Sequence, residues 1–161
     1  MLNIDSGLYF CPAHWLEHDV RIALVGCGAT GSAIAPLLFK LNHIRRELTG
    51  RELGLNLFIF DPKNVTQTGM NRTGFFATEV GMNKAIVMAN KLNTAVGYNF
   101  AVGYDRPFRP ADAGKGFDVV ITATATSWEA ADWRITSTST SFTTLFGGRS
   151  PTRLAELAED P

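Results

Sequence analysis

Cysteine is nearly absent: the 161 residues hold two, Cys11 and Cys27. They have no metal-ligand spacing and no C-x-x-C pair occurs, which excludes a zinc site of paired thiolates and points to a reduced, cytoplasmic setting. Histidine is equally scarce. His14 and His18 could share a helix face, but two imidazoles alone do not make a metal site, and His43 stands apart. An excess of charge of either sign is missing too: 15 basic and 15 acidic side chains leave a formal net charge of 0, so nothing suggests a nucleic-acid-binding polycation. No apolar run reaches the roughly 20 residues a membrane span requires. The start "MLNIDSGLYF" lacks a basic segment followed by an apolar one, so no secretory signal is expected.

What the sequence does have is an alternation of short apolar runs and helix-like stretches. With 45% hydrophobic residues, a chain of 161 residues can bury one core. "VRIALVG" (20–26) predicts a buried parallel strand, and "ATGSAIAPLLFKLN" predicts a helix with a kink or early turn at Pro36. "HIRRELTGRELG" reads as a charged connection whose Arg45 and Arg46 form a solvated face. "LNLFIFD" is a second strand. "TEVGMNKAIVMANKLN" is a second helix, with Val80, Ala85, Met88, Ala89 and Leu92 as its apolar stripe and Met82 as a packing residue. "YNFAVGY" and "FDVVITA" are two more strands, separated by the loop "RPFRPADAGKG". This order predicts an α/β, Rossmann-like, doubly wound and mostly parallel sheet with helices on both faces. The Ser/Thr-rich tail offers only weak strand candidates, so the sheet reads as incomplete at its C-terminus. The expected organisation is an N-terminal segment 1–19, a nucleotide-binding domain 20–125 and a diverged or truncated tail 126–161.

Gly26, Gly28 and Gly31 match G-x-G-x-x-G between a strand and a helix. The first glycine permits a tight turn, the second lets phosphate approach the backbone, and the third lets helix pack on strand. The N–H groups of the helix start then face the phosphates, and the hydroxyls of Thr30 and Ser32 are candidate further donors. Asp61 ends the second strand, where a carboxylate accepts the two hydroxyls of a ribose. It is equally an aspartate opening a turn before Pro62, and as a ribose acid it does not separate NAD from ATP. Arg72, in the loop after Asp61, and Lys84, in the next helix, lie on segments that converge at one sheet edge. Two cations suit a triphosphate whose charge builds during displacement at phosphorus.

"LVGCGATGS", "FIFDPKNV", "NRTGFF", "VGMNKA" and "FDVVITA", in this order, resemble the adenylyltransferase domain of the ThiF family, which includes the ubiquitin-activating enzymes. "KLNTAVGYNFAVG" is similar to the ThiF-related protein of the PRTRC cassette. The resemblance covers residues 20 to about 123. It implies ATP and Mg2+ as cofactors. The C-terminal carboxylate of a ubiquitin-like or sulfur-carrier protein would attack the α-phosphate, giving an acyl-adenylate and pyrophosphate. It also implies a homodimer. Gly26, Gly28 and Gly31 would lie under the phosphates and Asp61 on the ribose. Arg72 and Lys84 would hold the polyphosphate and stabilise the transition state.

The chain departs from the family at three positions. Gly69 stands where an Asn is usual, with Asn71 nearby, and Thr73 stands where Gln is common. Ala125 occupies the place of the magnesium-binding aspartate, so no metal ligand is assigned to this chain. A domain of the same fold that binds nucleotide or protein without catalysis is the alternative these departures leave open. A nicotinamide-dependent oxidoreductase is a further one, supported by the glycine loop and Asp61 alone. Cys27 reads as a small packed residue rather than a thioester nucleophile.

Overall fold

A computed structural model describes residues 13–124 and 141–144. Five strands form one sheet in the order β3-β2-β1-β4-β5. They are β1 Val20–Val25, β2 Leu55–Phe60, β3 Ala101–Tyr104, β4 Val119–Thr122 and β5 Ser141–Thr144. Every pairing is parallel, with Val20 to Val25 opposite Leu55 to Phe60 and Ile22 to Val25 opposite Val119 to Thr122. Two helices, α1 Ala29–Leu48 and α2 Lys84–Val96, follow β1 and β2. The strand order reverses between β1 and β4, and crevices for ligands in open α/β sheets form at such a switch point, outside the carboxyl ends of the strands.

The central strands bury both faces, so they read as apolar runs rather than as alternation. Val20, Ile22 and Leu24 of β1 join Leu57 and Ile59 of β2 in a core with Ala35 and Leu38 of α1 and Met88 and Leu92 of α2. Ala23 and Phe60 pack on the other face with Phe108, Phe117 and Val120. The helices on the two faces are unequal. Among the described residues the second face carries the four-residue α3 Pro110–Ala113, set in the crossover from β3 to β4. Aromatic rings fill the remaining space: Phe60 lies 4.7 Å from the Tyr104 ring in a stacked pair and 5.0 Å from the Phe108 ring edge-on. Arg106 stacks on Phe60 and Tyr104 and grips the buried Asp112 with two hydrogen bonds, at 2.6 and 2.9 Å.

Several local expectations are corrected. α1 does not stop near Asn42 but runs unbroken through Pro36 to Leu48, so half of the expected connection is helix. Pro36 is exposed, and the one helical hydrogen bond it forgoes, to the Ser32 carbonyl, does not break the helix. Arg45 is not a solvated charge: it donates to the carbonyls of Trp15, His18 and Gly54. Arg46 lies over the Tyr98 ring. α2 starts later than its apolar pattern suggests, at Lys84, because Asn83 caps it, accepting the N–H groups of Ala85 and Ile86. Val80 and Met82 consequently lie before the helix, and both are exposed. β5 comes from the Ser/Thr-rich tail, where the sequence offered only weak strand candidates.

Candidate functional site

The glycine loop leaves β1 at Gly26, whose φ of +94° favours glycine. A Cβ there would also meet the carbonyl oxygen of Ala123 at 2.8 Å, beyond the end of β4. A Cβ on Gly31 would collide with the carbonyl oxygen of Gly26, so the third glycine is required by the packing of α1 on the loop. Gly28 differs. It is the N-cap of α1, and a Cβ built on it meets nothing within 4 Å. The space over Gly28 is open, as a phosphate cradle at a helix N-terminus needs.

Asp61 anchors this loop from the end of β2. Its carboxylate is buried and accepts the Cys27 N–H at 2.7 Å and the Lys63 N–H at 2.8 Å. Cys27 is therefore held between Asp61 and the core. Burial, with the Asp61 carboxylate adding to it, pushes the Cys27 thiol up from about 9.0 to about 12, against the opposing pull of Lys84 and Lys91. The thiol stays protonated at neutral pH and is no nucleophile, as expected. Lys84 is the first residue of α2, rather than a turn into it. Asn83, just before it, donates its side-chain N–H to the Asp61 carbonyl at 2.8 Å and so fixes the start of α2 beside the Asp61 turn.

Arg72 arrives from another side. It ends the 3-10 turn Gln67–Arg72 and is exposed. With Ala29, Ser32, Ala33, Thr73 and Gly74 it lines an open depression of about 350 Å³ along the first turns of α1. The Ser32 hydroxyl is not free for phosphate, because it donates to the Ala29 carbonyl and accepts the Gly74 N–H, both at 3.2 Å. Lys91 holds Gly74 from the far side, donating to its carbonyl at 2.8 Å and pairing with Glu79 at 2.7 Å. Its ammonium also sits 4.0 Å from the Phe76 ring centroid. Arg72 thus lies along the first turns of α1 and Asp61 holds the glycine loop, while Lys84 starts α2 beside the Asp61 turn and does not line the Arg72 depression.

Ser32, Asn83 and Lys91 escaped the sequence reading as positioning groups. Asn83 carried a signal, an asparagine ahead of an apolar helical stretch. Ser32 and Lys91 act through contacts made only once α1, α2 and the loop meet. Ala125 lies outside the described residues, as do Cys11, Trp128 and Trp133. Among the described residues no group of three or more His, Cys, Asp or Glu side chains is placed to hold a metal ion. No described helix is long and apolar enough to cross a membrane.

A parallel sheet with a glycine turn at its switch point, an acid at the end of β2 and Arg72 beside the first helix defines the Rossmann-like α/β class. Comparison with known proteins narrows this. No protein-family model matches the chain. It is 35% identical over 107 residues to the ATP-dependent ubiquitin transferase-like protein Cap2 of Vibrio cholerae, covering 65% of this chain and 17% of Cap2. The E. coli tRNA N6-threonylcarbamoyladenosine dehydratase TcdA, solved with ATP, is 26% identical, with a TM-score of 0.53 and coverage of 71% of this chain and 45% of TcdA. TcdA has also been solved with AMP. E. coli MccB with ATP shares the fold at 17% identity, with a TM-score of 0.52 over 68% of this chain and 31% of MccB. The chain thus spans less than half the length of each of these proteins. These likenesses agree with the Rossmann-like fold of the sheet.

Proposed function

We propose that the chain is a ThiF-like, ATP-dependent adenylyltransferase domain, akin to the PRTRC-associated branch. It would activate the C-terminal carboxylate of a ubiquitin-like or sulfur-carrier protein in a cytoplasmic setting, as a homodimer. The observation that carries the reading is the Asp61-anchored glycine loop, open over Gly28, with Arg72 beside the same helix start. The likeness to Cap2 and to ATP-bound TcdA supports it.

In this reading the first-turn N–H groups of α1 and the Arg72 guanidinium hold the polyphosphate. Lys84, beside the Asp61 turn, adds a second cation. The carrier's carboxylate oxygen bonds to the α-phosphorus as the bond to the bridging oxygen breaks, releasing pyrophosphate. Charge on the departing phosphates grows in that step, and fixed cations lower its cost. Asp61 has already committed both oxygens to backbone N–H groups, so ribose hydroxyls would share them. The described residues do not fit a protein-built magnesium site, since no group of three or more His, Cys, Asp or Glu side chains gathers there and both Asp61 oxygens already accept backbone N–H groups, and no step is assigned to a metal. Ala125, at the place of the family's aspartate, favours a second reading: a nucleotide-binding module that no longer catalyses.

Exchange of labelled pyrophosphate into ATP, with a cognate carrier present, tests the first reading against the second. Calorimetric titration with ATP and with NADH tests both, since tighter NADH binding would sink them. Replacing Arg72 or Lys84 by Ala is expected to weaken ATP binding by about 1–3 kcal/mol.

A further inference from the structure

Asp61, Pro62 and Lys63 form the turn that follows β2, and hydrogen bonds hold this turn from several sides. The Lys63 N–H donates to the Asp61 carboxylate at 2.8 Å, and the Lys63 carbonyl accepts the Lys84 N–H at 3.1 Å. Val65, only 2% exposed, donates its N–H to the Met82 carbonyl at 2.8 Å and accepts the Gly81 N–H at 2.9 Å. Pro62 fixes its own φ. The main chain of Lys63 is therefore pinned, while its side chain is exposed. Lys84 starts α2 directly across the turn and is half-buried. Neither ammonium has an ion pair or a hydrogen bond among the described residues. Glu79, the acid nearest to Lys84 in sequence, is already engaged by Lys91.

In sheets of this class the end of β2 is where the ribose of a nucleotide lies. A free carboxylate there takes the ribose hydroxyls and repels a phosphate attached to them, and a nearby cation accommodates such a phosphate instead. Asp61 is not a free carboxylate. One oxygen accepts the Cys27 N–H and the other the Lys63 N–H, so its charge is turned into the glycine loop. What the turn presents to solvent is the Lys63 side chain, with Lys84 across from it. A lysine serves phosphate as a point charge and needs no fork geometry. Lys63 does not line the Arg72 depression, so the two cations do not form one phosphate site.

We propose that Lys63 is an anion subsite at the ribose edge of the nucleotide site. The ligand class it selects is an adenosine nucleotide carrying a phosphate on its ribose 2′- or 3′-hydroxyl. This rests on the nucleotide-binding part of the proposed function and does not depend on whether the chain transfers adenylate.

Calorimetric titration of the full chain with AMP, adenosine 2′,5′-bisphosphate and adenosine 3′,5′-bisphosphate tests it, since the three ligands differ only at the ribose. One bisphosphate is expected to bind at least about tenfold more tightly than AMP, and which one does so gives the position of the phosphate. Lys63→Gln keeps the main-chain hold on Asp61 and removes only the charge, so it is expected to bring that ratio close to one. Lys63→Arg is expected to restore most of it. Lys40→Gln, which removes the same charge from α1, is expected to leave the ratio unchanged. A ratio near one in the unaltered chain, a ratio that survives Lys63→Gln, or an equal loss in Lys40→Gln would each overturn the subsite. ATP titration of the same samples keeps the two ideas apart. If ATP and AMP bind but the ratio is near one, the subsite falls and the nucleotide reading stands. If none of the ligands binds, both fall.

Discussion

Cys27 and the three glycines around it show how closely residue identity is dictated in the loop, and for different reasons. The thiol is pushed up to about 12 chiefly by burial. Its folded value lies above its ordinary value, so its contribution to stability is whole below about pH 9 and is lost as pH rises toward 12. The loss runs at about 1.4 kcal/mol per pH unit in that window. Urea unfolding at pH 8 and pH 10 is expected to show this loss, and Cys27→Ala is expected to remove it. Among the glycines, Gly31→Ala is expected to unfold the domain or lower its melting temperature steeply, because the Gly26 carbonyl occupies the site of the new methyl group. Gly28→Ala has open space and is expected to melt close to the unaltered protein while binding ATP less well. The G-x-G-x-x-G spacing announces all three positions. It does not say which one faces packing and which faces ligand, because that depends on what the far ends of β4 and α1 bring near.

Elements were legible where one physical signal dominated. β1, β2 and β4 are buried on both faces, and an apolar run is hard to misread. α1 was read short because its last two turns present Ile44 and Leu48 outward while Arg45 and Arg46 turn back onto backbone carbonyls and an aromatic ring. Charge looked like solvent exposure when it was attachment. The same blindness hid Lys91, whose role exists only between elements. Lys91→Met keeps the helix but loses the Gly74 carbonyl and the Glu79 pair. It is expected to cost about 1–3 kcal/mol in urea unfolding. It is also expected to reduce the effect of Arg72→Ala on ATP affinity in a double-mutant cycle, since the segment that presents Arg72 would be looser. Additive effects would mean that the Gly74 clamp does not position Arg72.

At the scale of the whole sheet, the described residues close its two faces by different means. Helices close one. The other depends on the β3–β4 crossover, stitched by Arg106 and Lys115 to a carboxylate that is only 2% exposed. The Arg106 guanidinium holds the Asp112 carboxyl well below the usual range, with Lys115 and the Arg109 N–H assisting and burial opposing. Such a group stabilises the fold above its ordinary value near 3.8 and surrenders that stability as pH falls below it. Asp112→Asn is expected to destabilise by about 3 kcal/mol, because Arg106 would be left without its charge partner. The unaltered chain should also bind a hydrophobic dye as pH falls below about 3.8, before the helical signal is lost, as the aromatic face opens first. The doubly wound order was readable from the alternation of runs. The weight of the second face on one carboxylate was not, because "RPFRPADAGKG" looks like any polar loop until Asp112 is seen beneath Arg106.

The pinned cysteine also gives the protein a clock. In a Cys11→Ser background, Cys27 meets an alkylating reagent only when the Asp61 contact lets go and the loop swings out. The rate of labelling then counts openings of the cradle over Gly28. A ligand that settles into that cradle is expected to slow the count in proportion to its occupancy, without any need for turnover. A ligand that binds elsewhere would leave the rate unchanged.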